Sequence, residues 1–516
     1  MNKRFSHRIM ALCCAGALWG SGMALAQRAP SGDWPLPAGD AGQSGWQKNE
    51  VQLSKDTAGK FKFLWKLKLE AGAKESNAFT EPILIQRLVT ALGFKDFAYY
   101  ATPTALYGVD NELGEVVWTK KYDVKPAGSG ACSPSALSAL MEPPPVINFN
   151  AAPRKPTDPP PPPVPLTPPG ERRIGLVPPP GASRPVRGVY VLTSDGMLHQ
   201  QIITSGLDFA TPVRFLPAAN SGNYGMMWLN DTMYAATGNN CPSVPNGVFS
   251  FDMSSPAYKL STYATGKIRP LALTGPTVGA DGTAYIVTGP GTSTGTVYAD
   301  SVIALNKDMT VKGDYTPGGS LGIEHVSPVL FRYKGKELLV APGKDGSIVL
   351  LDAAAIGGAD HHTALASSPS LYKAGKHPWD SFAAWTDKTG TTWVYAAISG
   401  PVAAPNGSLA HGGIVAFKVE GDATAPKLTM AWVSPDMVNP APPRIANGLI
   451  VALAGGNAST HGVLHLLDAE TGAALYSSKD EIVTYTGFSG VAVGEAHAFF
   501  TDHDNNMYSF GIGMIH

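Results

Sequence analysis

The sequence predicts an all-β fold, an eight-bladed β-propeller whose ring is closed by strands from both ends of the chain. The first observation is a unit of short strands and turns that recurs roughly every 40–55 residues, the period of one propeller blade. The second is a composition with 57 Gly and 44 Pro and only 15% charged residues, which favours turns over long helices. The third is that several units carry an Asp or Asn at the end of the third strand and a Gly a few residues later.

The repeat is clearest in the second half of each unit, where an apolar strand alternates small and large residues before a turn. The segments are TALYGVDNELGEVVW (to Trp118), GMLHQQIITSG (to Gly206), GVFSFDMSS (to Ser255), SVIALNKDMTVKG (to Gly313), GSIVLLDAAAIGG (to Gly358), GGIVAFKVEGD (to Asp422), GVLHLLDAETGAALY (to Tyr476) and NNMYSFGIG (to Gly513).

Each predicted blade contains four strands. The first opens on a small residue and a Pro, because Pro at the first strand position costs no ladder hydrogen bond; the openings are Glu81-Pro82, Thr211-Pro212, Gly275-Pro276, Ser327-Pro328 and Pro442-Pro443. The second strand is rich in β-branched and aromatic residues, which suit a half-buried sheet. A tight turn such as Asp195-Gly196 supplies positive φ before the third strand. The closing Asp or Asn bonds its own backbone, and a fourth, outer strand follows.

The eighth blade is predicted to be split between the two ends of the chain. Residues Gly490–Gly511 would supply its inner strands and Phe61–Leu67 its outer strand. Such a closure leaves no unpaired sheet edge in the ring. Helix is expected only in short loop segments such as Ser133–Met141.

The remaining segments define the domain organisation. Residues 1–26 have a basic start, a short apolar stretch and an Ala-Leu-Ala site, which predicts a secretory signal cleaved after Ala26 and a periplasmic or secreted protein. Residues 27–46 form a lead-in and 47–516 a single propeller domain. A Pro-rich segment, 142–185, interrupts that domain and is predicted to be a disordered insertion.

Charge and hydropathy exclude several classes of function. The formal net charge of -1 gives no basic surface for nucleic acid. The apolar stretch of the signal is too short to span a bilayer, and no other candidate span occurs, so no transmembrane segment is expected. We also expect a monomer.

The mature chain retains two cysteines, Cys132 and Cys241, each in a loop sequence. Two cysteines in an oxidising compartment can form a disulfide, which we predict here, although two separately buried thiols would also fit the sequence.

Residues just before each innermost strand should surround one mouth of the central channel. The ligand-binding candidates there are Asn77, Glu81, Asp208, Glu324, His325, Asp380 and Asn439. Carboxylates, amides and imidazole could bind Ca²⁺ or a polar ligand, but the same residues could simply cap strand ends and hold water. No spacing in the sequence specifies a metal site.

The units ALYGVDNELGEVVW and LHLLDAETGAAL, and the opening GDWPLPAGDAGQSGWQ, resemble the repeat of the quinoprotein propellers, which use pyrroloquinoline quinone (PQQ). The resemblance covers roughly Asp33 to Gly513 and implies the quinoprotein alcohol dehydrogenase-like fold. Non-enzymatic relatives, the outer-membrane assembly lipoproteins, share the repeat.

Two hallmarks of the dehydrogenases are missing: the only Cys-Cys pair, Cys13-Cys14, lies in the signal, and no CxxCH site for covalent haem occurs. The sequence therefore favours a binding or scaffold module with an unidentified protein or small-molecule ligand. The alternative is a PQQ- and Ca²⁺-dependent dehydrogenase of alcohols or sugars, with Glu324 or Asp380 as general base. A hydrolase or lyase is a third interpretation.

Overall fold

A computed structural model describes most of the chain between residues 32 and 513. The described ranges are 32–69, 81–90, 93–102, 104–123, 138–141, 188–217, 223–238, 245–254, 257–272, 274–321, 323–371, 377–404, 407–486 and 490–513. The predicted signal, Asn77, both mature cysteines and the Pro-rich segment 142–185 lie outside them. Within the described ranges the chain forms strands and short 3₁₀ turns and contains no α-helix. No helix among these residues has the length and apolar character needed to cross a membrane.

The strands follow one another along the chain in groups separated by turns. They are β1 (Trp46–Gln47), β2 (Phe61–Lys68), β3 (Ile83–Thr90), β4 (Gly93–Ala101), β5 (Ala105–Asp110), β6 (Glu115–Lys121), β7 (Ser138–Met141), β8 (Gly188–Leu192), β9 (Met197–Ile202), β10 (Val213–Arg214), β11 (Asn223–Leu229), β12 (Thr232–Thr237), β13 (Asn246–Asp252), β14 (Lys259–Gly266), β15 (Thr277–Val278), β16 (Ala284–Val287), β17 (Val302–Leu305) and β18 (Val311–Tyr315).

The second half continues in the same way, with 3₁₀ turns at Lys344–Gly346, Gly358–Asp360 and Lys479–Glu481 and an earlier one at Ala58–Lys60. Its strands are β19 (Ile323–His325), β20 (Val329–Tyr333), β21 (Lys336–Pro342), β22 (Ile348–Asp352), β23 (Ala366–Ser367), β24 (His377–Thr386), β25 (Thr392–Ser399), β26 (Val402–Ala404), β27 (Gly407–Leu409), β28 (Gly412–Asp422), β29 (Ala425–Val433), β30 (Arg444–Ala446), β31 (Leu449–Ala454), β32 (Val463–Asp468), β33 (Ala474–Ser477), β34 (Ala492–Gly494), β35 (His497–Thr501) and β36 (Asn506–Ile512).

These strands form the eight antiparallel blades that the repeat predicts. From the channel outwards, blades 1 to 5 are β3–β6, β7–β10, β11–β14, β15–β18 and β20–β23. Blade 6 is β24, β25, β28 and β29, and β19 pairs with β24 as an additional strand on the channel side. Blade 7 is β30–β33, and β1 pairs with β30 in the same way. Blade 8 is β34–β36 plus β2, so the predicted closure of the ring by both ends of the chain is confirmed.

Two local predictions are wrong. Residues 138–141, expected within a short helix, form β7 and pair with β8 as the innermost strand of blade 2. Thr211-Pro212-Val213, expected to open an innermost strand, leads into β10, the outermost strand of the same blade. Pro at a strand start marks an edge strand, and inner and outer strands are both edges, so this signal alone cannot tell them apart.

The residues before β2 enter the central channel and bond to the inward-facing edges of six blades. We call residues 33–47 the channel segment. Its backbone pairs with blade 1 at Leu84 and accepts bonds from the amides of four further inner strands; these amides are Val278 (2.7 Å), Leu330 (2.9 Å), Ala384 (2.9 Å) and Ile445 (2.7 Å). The Gln47 side chain reaches Val493 O of blade 8 at 3.0 Å. Most of the predicted lead-in therefore belongs to the interior of the ring.

Neighbouring blades are joined on their outer side by tryptophans that lie against glycines. Trp118, on the outer strand of blade 1, packs against Gly206 of blade 2 and donates to Ile203 O at 3.0 Å. Trp65 and Trp432 make the same contact with Gly114 and Gly472 of their next blades. A Cβ at Gly206 would lie 2.4 Å from the Trp118 ring, so glycine alone permits this approach.

We expect Gly206→Ala to destabilise the protein more than a glycine substitution at an equally left-handed but open position. Gly206 has φ 67° and Gly266 has φ 61°, but nothing lies within 4 Å of a Cβ built on Gly266. Gly266→Ala should therefore lower the free energy of unfolding by about 1–2 kcal/mol, through backbone strain alone. Gly206→Ala should lower it by roughly 1–3 kcal/mol more, because the added methyl group overpacks the contact with the Trp118 ring. Denaturant midpoints of both variants check this, and equal losses would contradict the packing role of Gly206.

Candidate functional site

A cavity of about 260 Å³ lies at the mouth of the channel where the chain enters the innermost strands. Its wall comes from the segments before β20 and β30, from the loops between the second and third strands of blades 6 and 7, and from the channel segment. Apolar lining groups include Val326, Phe382, Ala441, Pro442 and Ala458. The mouth cavity is thus formed by blades 4 to 8, with Glu81 contributed by blade 1.

The charged groups among the described lining residues are Glu81 and Arg444, and they neutralise each other. Arg444 Nη2 lies 2.6 Å from Glu81 Oε2, and the two side chains are 1% and 3% exposed. Glu81 Oε1 also accepts bonds from Trp34 Nε1 at 2.7 Å and Ala38 N at 2.9 Å. Arg444 Nε donates to Val491 O at 3.0 Å. The buried pair therefore links blades 1, 7 and 8 to the channel segment and has no unused charge.

Three uncharged polar groups in the wall have no partner within the described part of the chain. They are Asn439 Oδ1, Ser381 Oγ and Tyr485 OH, and each residue is half-buried. Asn439 is fixed in place, because its Nδ2 donates to Gly456 O at 2.7 Å and its backbone O accepts from Gly455 N at 2.8 Å. The Tyr485 ring lies against His503, with centroids 4.3 Å apart. The mouth cavity thus offers neutral donors and acceptors on fixed side chains.

The structure places the described residues among the predicted mouth candidates in different parts of the ring. Glu81 and Asn439 line the mouth cavity. Glu324 and His325 lie on β19, which runs parallel to the start of β24, and the register pairs Ile323 with His377 and His325 with Trp379. Asp380 follows on β24, so the backbone brings these candidates to one edge of blade 6. Their neighbours Val326 and Ser381 belong to the cavity wall.

Asp208 lies elsewhere, and its predicted place at the channel mouth is wrong. It follows β9, the third strand of blade 2, and bonds to Gln201 Nε2 at 2.8 Å. Its other oxygen lies 2.7 Å from Lys120 Nζ on the outer strand of blade 1. These bonds hold the pKa of Asp208 below its ordinary value although partial burial opposes them. The error follows from assigning Val213 to an innermost strand.

Arg444 is the site residue that the sequence reasoning missed. It stands first in its inner strand, after Pro442-Pro443, where the other correctly predicted openings have Ile83, Thr277 and Val329. A charged residue at a position that is otherwise β-branched or apolar is the signal that could have identified it. Burial of such a charge requires a partner, and Glu81, beside the opening of blade 1, is that partner.

The described wall does not fit PQQ with Ca²⁺. Calcium binds several oxygen ligands, mostly carboxylates and carbonyls, but both oxygens of Glu81 are already bonded. PQQ is a planar polyacid, and the one cation of the described wall, Arg444, is held by Glu81. No cluster of three or more potential metal ligands occurs among the described residues.

Comparison of the structure with solved structures finds many propellers of the same class. Quinohemoprotein alcohol dehydrogenase from Comamonas testosteroni aligns over 95% of this chain and 82% of its own, with 13% identity and a TM-score of 0.54. A europium-containing methanol dehydrogenase aligns over 93% and 98%, with 10% identity and a TM-score of 0.54. BamB from Moraxella catarrhalis aligns over 85% and 99%, with 13% identity and a TM-score of 0.43.

The sequence itself matches no protein-family model and no curated protein. At the identities found, the structural matches concern the course of the backbone and do not extend to the chemistry of the site. The blade number, the ring closure and the near-complete coverage agree with the fold that the repeat predicts. The chain has the eight-bladed propeller fold of the quinoprotein alcohol dehydrogenases.

Proposed function

We propose that this protein is a ligand-binding propeller that takes a small uncharged molecule at the channel mouth, and that it is not a PQQ-dependent dehydrogenase. The observation that carries the proposal is the buried Glu81–Arg444 pair. Because each charge is already bonded to the other at 2.6 Å, an ionic ligand would find no counter-charge among the described wall residues. An uncharged ligand has no such requirement.

The remaining wall groups support the same choice. Apolar surface from Phe382, Val326 and Pro442 can contact a ring or an alkyl chain. Asn439 Oδ1, Ser381 Oγ and Tyr485 OH can hydrogen-bond an amide or a hydroxyl. A volume of about 260 Å³ suits a compact molecule rather than a peptide or an oligosaccharide.

The proposal places this binding module in the periplasm or outside the cell as a monomer without covalent haem. The support is the predicted signal at residues 1–26 and the absence of a CxxCH sequence. The two mature cysteines remain predicted to form a disulfide in that oxidising compartment.

A dehydrogenase remains the second candidate because of one observation. Glu324 and Asp380 lie on β19 and β24, two strands paired at the cavity side of blade 6. Acidic residues on two paired strands are of the residue type that a general base requires. In that interpretation one of them would accept the proton of an alcohol or sugar.

The experiment compares three probes on the purified mature protein. We expect ligand-observed NMR to detect saturable binding of benzamide and at least tenfold weaker binding of benzoate, since burying an unpaired carboxylate is costly. PQQ with Ca²⁺ is expected to show neither saturable binding nor dye reduction with a panel of alcohols and sugars. Saturable PQQ binding with turnover would instead establish the second candidate.

A cavity-filling variant locates the binding. Ala458 is exposed and lines the mouth cavity, whereas Ala410 is exposed and is not a lining residue. Ala458→Trp should abolish benzamide binding and leave the melting temperature unchanged, while Ala410→Trp should leave both unchanged. Loss of binding in both variants, or in neither, would contradict a site at the mouth.

A further inference from the structure

Asn439 is held in one orientation at the wall of the mouth cavity. Its backbone is left-handed, with φ 49°. The loop after β31 fastens it at two points, since Gly455 N donates to Asn439 O at 2.8 Å and Asn439 Nδ2 donates to Gly456 O at 2.7 Å. A Cβ at Gly455 would lie 2.8 Å from Asn439 O, so this close approach requires glycine. The side chain of Asn439 therefore has little freedom to turn.

The bond to Gly456 also fixes which end of the Asn439 amide is free. A main-chain carbonyl oxygen can only accept, so the group facing Gly456 O must be the Nδ2 donor, and the free end is Oδ1. Oδ1 has no donor among the described residues, and it is accessible to solvent rather than enclosed in the interior. Because Asn439 lines the cavity, a ligand there meets an acceptor that cannot turn into a donor.

The other side-chain amides of the described wall, Gln43 and Asn457, have no free oxygen. Gln43 Oε1 accepts a bond from Thr274 Oγ1. Asn457 Oδ1 accepts from Ser459 N at 2.9 Å and from Ser459 Oγ at 2.8 Å. Among these three amides, Asn439 is thus the residue whose oxygen is left for a ligand.

The free hydroxyl groups of the wall do not impose the same requirement. Ser381 Oγ and Tyr485 OH can each donate or accept, so they can pair with either kind of ligand group. Asn439 Oδ1 can pair only with a donor. The choice between donor and acceptor ligands is therefore made at Asn439.

We propose that Asn439 determines the specificity of the mouth cavity, and that the ligand directs an uncharged donor, an amide N–H or an alcohol O–H, at Asn439 Oδ1. This inference rests on the proposed function and narrows its ligand class. A ketone, an ester or a tertiary amide of the same shape would cover Oδ1 without pairing it, which is costly. Sites that hydrogen-bond a ligand group reject analogues that lack this group.

The test compares benzamide with acetophenone, in which a methyl group replaces the amide nitrogen. The two probes share a ring and a carbonyl group and are of similar size. Their transfer from water differs, but equally for every variant, so a change in the ratio of their dissociation constants reports the N–H contact. We expect Asn439→Gly to lower the preference for benzamide at least tenfold. Glycine adopts φ 49° without strain, so the backbone of this variant is preserved.

Asn447→Gly is the matched control. Asn447 is also a left-handed asparagine, with φ 44°, but it is not a lining residue of the mouth cavity. It should leave the preference for benzamide unchanged. An unchanged preference in Asn439→Gly, or an equal loss in Asn447→Gly, would overturn the inference.

A third probe, benzyl alcohol, distinguishes the two kinds of donor. If an O–H also pairs with Oδ1, Asn439→Gly should weaken binding of benzyl alcohol relative to acetophenone as well. If the amide N–H alone is recognised, benzamide should be the one probe affected. Failure of all three probes to bind the parent protein would reject the proposed function itself. Binding that is insensitive to Asn439 would leave the proposed function intact and reject only this inference.

A gain of binding provides the second variant. Asn439→Asp keeps an acceptor at this position, tolerates the left-handed backbone and adds a negative charge. Benzamidine, the cationic analogue of benzamide, should bind this variant at least tenfold more tightly than it binds the parent protein. A gain cannot arise from misfolding, so an unchanged or weaker affinity for benzamidine would show that the ligand does not contact Asn439 Oδ1.

Discussion

Replacement of β2, Phe61–Lys68, by a Gly/Ser segment of equal length is expected to abolish the soluble, closed ring. This strand pairs with β36 from Phe61 opposite Ile512 to Lys68 opposite Asn506. Its aromatic rings also pack within blade 8, Phe63 against Phe510 and Trp65 against Phe499, and Phe61 packs against Tyr476 of blade 7. Without it, β36 presents a long apolar edge, which is a template for aggregation. Size-exclusion chromatography should show soluble aggregates or no soluble protein.

A second copy of the strand provides the control. Because Phe61 lies opposite Ile512, the sequence Phe61–Lys68 appended after Gly513 through an Asn-Gly turn can pair with β36 as a hairpin. This variant should recover a soluble, protease-resistant ring although the original strand is still replaced. Recovery without the appended strand would show that ring closure does not depend on β2.

Arg444→Met is expected to lower the free energy of unfolding by about 3–5 kcal/mol, the usual cost of leaving one member of a buried ion pair alone. Arg444 is 1% exposed, and among the described residues Glu81 would keep Trp34 and Ala38 as donors. The effect should appear as a lower midpoint in thermal and denaturant unfolding. The loss of stability should be smaller when Glu81 is changed as well. Arg444→Met leaves the buried charge of Glu81 without a partner, and Glu81→Gln removes that charge.

Lys48→Met is the comparison variant. Lys48 pairs with Asp40 at 3.1 Å, also beside the channel segment, but the two side chains are 54% and 32% exposed. Such a pair contributes about 1 kcal/mol or less, so Lys48→Met should unfold almost like the parent protein. Equal losses for Lys48→Met and Arg444→Met would contradict the role given to the buried pair.

The architecture could be predicted from the sequence because each blade repeats the same local signals. Closing glycines, Pro-led strand starts and alternating apolar strands gave blade number and ring closure correctly, including β2 as the outer strand of blade 8. Blade 2 was the exception. Its innermost strand, β7, is short and adjoins the Pro-rich segment, and the signal at Pro212 predicts an innermost strand where the chain forms the outermost one.

The site could be predicted only in part, because its key contacts join residues that are far apart in the chain. Glu81 and Asn439 were identified from their positions before innermost strands. The contacts that these residues make could not be predicted, since the pairing of Glu81 with Arg444 spans 363 residues and depends on the ring being closed.

The channel segment has a consequence for how the molecule reaches its native state. Residues 33–47 leave the ribosome early, but their partners are synthesised over the whole length of the chain, and Gln47 contacts Val493 at a separation of 446 residues. Contacts of such high sequence separation form slowly and late. The segment can therefore dock completely only in a chain whose last blade exists. We therefore expect a truncated or incompletely folded chain to leave Trp34 and its neighbours undocked and open to proteolysis, unlike the finished molecule.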